Sequence, residues 1–111
     1  MQVFDLNGDF FPKTEKLILL IGFFDGVHIG HQKLIQEAKK YGSPIGVLTF
    51  SSSLIGLKEQ KLLLSEKCKQ QKLKDYGIKY YFRLNFDKVR KWSKELFLNH
   101  LSNINIEHII I

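Results

Sequence analysis

Two hydrophobic rhythms alternate along this chain of 111 residues. Lys16 to Gly22, "KLILLIG", is a continuous apolar run ending in glycine, the pattern of a strand covered on both faces. From Ile29 to about Tyr41 the period changes: Leu34, Ile35, Ala38 and Tyr41 share one side of a helix, and Gly42 supplies a C-terminal stop. Pro44 to Phe50, "PIGVLTF", predicts a second buried strand, with a loop from Ser51 to about Lys61. Ser65 can cap a helix running to Tyr76 and closed by Gly77. A third strand, rich in aromatic residues, follows in "IKYYFRLNF". Ser93 can cap a further helix on which Leu96, Phe97, Leu101 and Ile104 share a face, and "IEHIII" closes the chain as a fourth strand.

This alternation of strand and helix predicts an α/β domain whose parallel sheet carries helices on its faces. The length allows one domain, residues 1–111. Ile109, Ile110 and Ile111 read as buried-strand residues with no polar stop after them, so a fold truncated at its C-terminal end is expected. Ligand crevices in such sheets lie beyond the carboxyl ends of the strands. The stretch "GFFDGVHIGH", residues 22–31, falls at the carboxyl end of the first strand.

Composition narrows the class without naming a chemistry. Hydrophobic residues at 44% and charged residues at 25% describe a globular chain. The longest apolar run, Leu17 to Phe24, is far below the roughly 20 residues of a membrane span. The N-terminus lacks the basic start and apolar core of a secretory signal, and the single Cys68 has no internal disulfide partner, so a cytoplasmic location is expected. Cys68 itself is expected to be buried and structural. The net charge of +6 is uneven: residues 58–91 carry eleven Lys or Arg against four Asp or Glu, and the rest of the chain sums to −1. That segment suits nucleotides, RNA or other phosphates, or is a solvated helix face.

A phosphate at the 22–31 turn would meet a favourable set of groups. Gly22 and Gly26 let the backbone approach closely, and a helix starting near Ile29 or Gly30 offers unpaired N–H groups at the positive end of its dipole. His28 and His31, one helical turn apart, can both point into the crevice and donate to anionic oxygen. The pair alone is more often helix surface or a weak metal site; its glycine-rich setting after a buried strand is what favours phosphate. His100 and His108 lack such a setting and read as structural or exposed.

The stretch "GFFDGVHIGHQ" closely resembles the nucleotide-binding motif G-x-F-D-G-V-H-x-G-H-Q of the bacterial FAD synthetases, the bifunctional riboflavin kinase/FMN adenylyltransferases. "VLTF", "LSEK", "YGIKYYFRLNF", "SKELFLNHL" and "HIII" resemble later segments of that family in the same order, so nearly the whole chain is covered. The resemblance implies a Rossmann-like three-layer fold of the H-x-G-H nucleotidyltransferase type, and transfer of AMP from ATP to FMN to give FAD and pyrophosphate. It implies that His28 and His31 act on the ATP phosphates, that Gly22, Phe23, Phe24, Asp25 and Gly26 form the turn against the nucleotide, and that Gly30 permits its approach to the helix end. It places Thr49 and Phe50 near the flavin phosphate, with Mg²⁺ on the triphosphate and no resident metal site, and a riboflavin kinase domain beyond this chain. Where the family usually has x-P-H-P after its T-F, this chain has Ser51, Ser52, Ser53 and Leu54. Two other readings stay open at this point: a nucleotidyltransferase for another phosphate acceptor, and a non-catalytic phosphate- or RNA-binding module using the basic segment.

Overall fold

The computed structural model describes residues 1–6, 11–22, 29–51, 59–85 and 90–110. Five strands, β1 (Gln2–Leu6), β2 (Leu17–Ile21), β3 (Ile45–Ser51), β4 (Tyr80–Asn85) and β5 (Ile106–Ile110), alternate with helices α1 (Ile29–Lys39), α2 (Glu59–Asp75) and α3 (Lys94–Leu101). They form one all-parallel sheet in the order β1-β4-β3-β2-β5. The chain is an α/β protein of Rossmann-like architecture, as the alternating periods predict.

Strand alternation divides the core between two faces. Leu17, Leu19, Leu48, Phe82, Leu84 and Leu6 pack on one side against Phe11, Leu101 and Ile104. Ile18, Leu20, Val47 and Tyr81 pack on the other against Ile35 and Ala38 of α1 and Leu73 of α2. Leu17 to Leu20 are fully buried, which explains why β2 reads as an unbroken apolar run. Gly46 leaves room on the first face, where a Cβ would lie 3.1 Å from the Phe82 ring.

The helix ends follow their local chemistry. Ser93 caps α3 by accepting the Leu96 N–H at 3.1 Å. Gly77 ends α2 at φ +89°, with its own N–H bonded to Lys74 O and the Ile78 N–H bonded to Leu73 O, both at 3.0 Å, the paired closure that a left-handed residue permits. Gly42, at φ +73°, follows α1 in the same way.

Several expectations are corrected. The sequence reading lacked β1, whose mixed residues acquire strand geometry by pairing with β4, Gln2 opposite Tyr80 through Leu6 opposite Leu84. Helix α2 begins at Glu59, so Ser65 lies inside it rather than at its cap. Cys68 is exposed, because it sits one residue before the side of α2 that packs on the sheet. Tyr41 is 48% exposed and lies past the end of α1, its ring 4.4 Å from that of His108. Leu96 is 38% exposed in the first turn of α3. β5 is an edge strand, and Ile109 is 45% exposed rather than buried.

Candidate functional site

The order of the sheet defines where a ligand would sit. From β2 the chain steps to β3 and then β4 in one direction, and β5 returns to the opposite side of β2. The reversal makes a switch point at the carboxyl ends of β2 and β5, the place where open parallel sheets part their crossovers and leave a crevice. Gly22 lies at this point, directly after β2, and its N–H donates to Leu48 O of β3 at 3.1 Å. Phe23, Phe24, Asp25, Gly26 and His28 lie outside the described residues.

Gly30 and His31 fall in the first turn of α1; the His31 side chain is outside the described set. Helix α1 returns antiparallel to the strands, so its N-terminus stands at the carboxyl end of the sheet, on the face where Ile35 and Ala38 pack. Gly22, Gly30, His31 and the end of β3 are therefore gathered at one end of the two central strands. The backbone N–H groups of the first helical turn are available to an anion there.

Thr49 and Phe50 precede Ser51, the last residue of β3, and the pleat sends them to opposite faces. Phe50 packs partly buried against the first core cluster, below α3. Thr49 is 1% exposed and faces the α1 and α2 layer, where Lys69 Nζ donates to its Oγ1 at 3.3 Å. Lys69 is itself only 6% exposed. On the same face and at the same end, the register sets Arg83 beside Thr49 and Asp5 beside Arg83, and Arg83 Nε donates to Asp5 Oδ1 at 2.6 Å. The end of the sheet is thus polar on the α1 side and apolar on the α3 side.

Sequence reading missed Lys69, which it counted with the basic segment. The signal was present: Lys69 stands four residues before the buried Leu73 and seven before the half-buried Tyr76, so all three share a helix face. Two other basic residues of that segment, Lys72 and Lys74, are exposed. His100 packs against Trp92, ring centroids 4.2 Å apart, and its Nδ1 lies 3.0 Å from Leu96 O, far in the fold from the switch point.

A sheet of this topology, with Gly22 and a helix start at its switch point, defines the class of α/β proteins that hold ligands at strand carboxyl ends. Within that class the chain belongs to the FAD synthetase family, whose model matches residues 11–111. It is 32% identical over 104 residues to an FAD synthetase of Listeria monocytogenes serovar 1/2a, covering 85% of this chain and 42% of the relative. It is 32% identical to a bifunctional riboflavin kinase/FMN adenylyltransferase of the same organism, covering 84% of this chain and 33% of the relative. The bifunctional protein of that name from Bacillus subtilis is 30% identical over 106 residues, with 86% and 34% covered. The chain therefore spans between a third and about two-fifths of the length of these relatives.

Proposed function

We propose that residues 1–111 form the nucleotidyltransferase domain of an FAD synthetase, the part that transfers AMP from ATP to FMN. In that reaction a phosphate oxygen of FMN attacks the α-phosphorus of ATP. The bond from that phosphorus to the oxygen bridging to the β-phosphate breaks, FAD forms, and pyrophosphate leaves with the electron pair. No covalent enzyme intermediate is needed, so the protein's work is to position the two phosphates and to stabilise charge as it shifts to the leaving group.

The reading is supported most by the comparison of the two Listeria relatives. Both are matched over the same extent, one is named for FAD synthesis alone, and the other adds riboflavin kinase while leaving a larger share of its length unmatched. The matched stretch goes with adenylylation, and a riboflavin kinase domain would stand outside it. The geometry suits the same role: Gly22 after β2 and the N-terminus of α1 stand at the same end of the sheet, at the switch point. Gly22, Phe23, Phe24, Asp25, Gly26 and Gly30 would carry the nucleotide against the backbone. His28 and His31 would donate to the triphosphate. Thr49 and Phe50 would border the FMN phosphate.

Mg²⁺ fits as a companion of the nucleotide, since it binds through substrate phosphates and keeps several waters. It would neutralise phosphate charge there. No helix among the described residues is long and apolar enough to cross a membrane. The exposed free thiol of Cys68 suits a reducing cytoplasm.

Calorimetric titration with ATP·Mg²⁺ and then FMN tests the proposal, repeated on the His28→Ala/His31→Ala protein. We expect the double substitution to weaken ATP at least about tenfold, the scale of one charge-assisted hydrogen bond, while leaving thermal unfolding in place. Equal ATP affinity in the two proteins would remove the histidines from the site.

A further inference from the structure

The edge of the sheet away from the switch point carries a feature that nucleotide transfer does not use. Between β1 and α2 lies a cleft of about 420 Å³ lined by Met1, Val3, Lys67, Gln70, Gln71 and Lys74. Lys67 and Lys74 stand about two turns apart on α2, roughly 10.5 Å along its axis, and both are exposed. Neither has a hydrogen bond or ion pair among the described residues, and the lining includes no carboxylate. Two ammonium groups therefore border the cleft with no counter-charge in its walls.

One wall is an open strand edge. β1 ends the sheet, with β4 as its neighbour, and its other side has no strand partner among the described residues. Gln2 donates its N–H to Lys79 O at 2.9 Å, so the alternation along the strand turns the N–H and C=O of Val3 away from β4. The Val3 side chain lies on the α2 face, since it pairs with Tyr81, and is 43% exposed. Phe4 lies half-buried on the other face.

Unpaired backbone groups, apolar surface and positive charge are thus set side by side. An extended peptide with acidic side chains answers all three: its backbone completes the edge, its apolar residues lie beside Phe4, and its carboxylates meet the lysines. A nucleic acid would use the lysines and leave the strand edge idle. A second copy of this chain, of net charge +6, would bring its own basic edge to this one.

We propose that β1 accepts an acidic segment of a partner protein as an added strand, bonded at Val3 and held on the α2 face by Lys67 and Lys74. Asp5, paired with Arg83 Nε at 2.6 Å on that face, confines the acidic positions to the amino half of the strand. The surface is separate from Gly22 and the start of α1, so the proposal does not rest on the adenylyltransferase reading.

The test titrates the protein with a short blocked peptide of alternating glutamate and valine, and with counterparts carrying glutamine or lysine in place of glutamate. The wild type should bind the glutamate peptide about tenfold more tightly than the glutamine peptide, and added salt should shrink that margin. Lys67→Glu/Lys74→Glu should transfer the preference to the lysine peptide. Val3→Pro removes an N–H that points away from β4, so the sheet stays paired while the added strand loses its bond; glutamate-peptide binding should fall by about tenfold or more. Should that variant fail to fold, slowed exchange of the Val3 N–H in the wild type on adding the peptide reports the same bond. Several results overturn the proposal: no peptide binding, equal affinity for the glutamate and glutamine peptides, a Val3 N–H indifferent to the peptide, or a wild-type dimer that Val3→Pro dissociates. Tighter binding of a single-stranded oligonucleotide than of the glutamate peptide overturns it as well. Titration with ATP·Mg²⁺ should be the same in wild type and variants, so failure here leaves the adenylyltransferase reading to its own test.

Discussion

Lys79 and Lys69 stand at opposite ends of the sheet and are held in opposite ways. At the amino end, Lys79 Nζ donates to Glu15 Oε2 at 2.7 Å with both side chains about half exposed, and Tyr80, at the start of β4, donates to the same carboxylate. At the carboxyl end, Lys69 is buried and donates to a hydroxyl. The first lysine meets its counter-charge inside the protein, in solvent, where such pairs add little and are screened by salt. The second is held in the interior, on the face and at the end that also carry the Arg83–Asp5 pair. Both ends thus carry an ion pair, and the carboxyl end alone adds a buried lysine.

The amino end has a defined pH window. Lys79, and then the Tyr80 hydroxyl, hold the Glu15 carboxyl below its ordinary value of 4.5, and Glu15 in turn raises Lys79 and Tyr80 above theirs of 10.5 and 10.0. A lowered carboxyl contributes stability that is present above its unfolded value and lost as pH falls through the folded one. Raised Lys and Tyr values contribute stability that is present below their unfolded values and lost as pH rises through the folded ones. The clasp therefore acts across the neutral range and fails at both extremes.

Three substitutions probe this contrast. The largest effect is expected at Phe82, fully buried midway along β4 and stacked on Phe4 at 5.4 Å: Phe82→Ala should cost about 3–5 kcal/mol in urea denaturation and unfold both ends together. A smaller loss would mean that the ends are not joined by one core. Gly77→Ala, at φ +89°, should cost about 1 kcal/mol by straining the closure of α2; a protein of unaltered urea midpoint would show that the turn readjusts freely. Smallest is Glu15→Gln. The gap between its unfolding temperature and that of the wild type should be slight at neutral pH, shrink with added salt, and vanish as pH drops below the carboxylate range. A gap that grows in acid contradicts the assigned role of Glu15.

Where a segment is buried on both sides, its sequence alone reports its structure: β2, β3 and β4 were legible as apolar runs, the capping serine marked the start of α3, and the stop glycines marked the ends of α1 and α2. β1 was not, because an edge strand with Gln2 and Asp5 exposed owes its form to β4, 78 positions further along the chain. Ile109 misled for the converse reason, since β-branched apolar residues suit an edge strand as well as a central one. At the site, the glycines and histidines of residues 22–31 were visible as a local pattern. Lys69 was marked only by its helical spacing from Leu73 and Tyr76, and its bond to Thr49 joins it to a strand twenty residues earlier in the chain.

The pairing of β1 with β4 has a consequence for how the chain folds as it is made. Asp5 and Arg83 are separated by 78 positions, so at about 5–20 residues per second β1 would wait on the order of 4–16 s for its neighbour to be synthesised. A strand left that long without a partner invites wrong pairing with other chains. β1 is well suited to the delay: Gln2, Val3 and Asp5 are exposed even in the finished sheet, and Leu6 alone is fully buried. The strand that waits longest offers the least apolar surface while it waits.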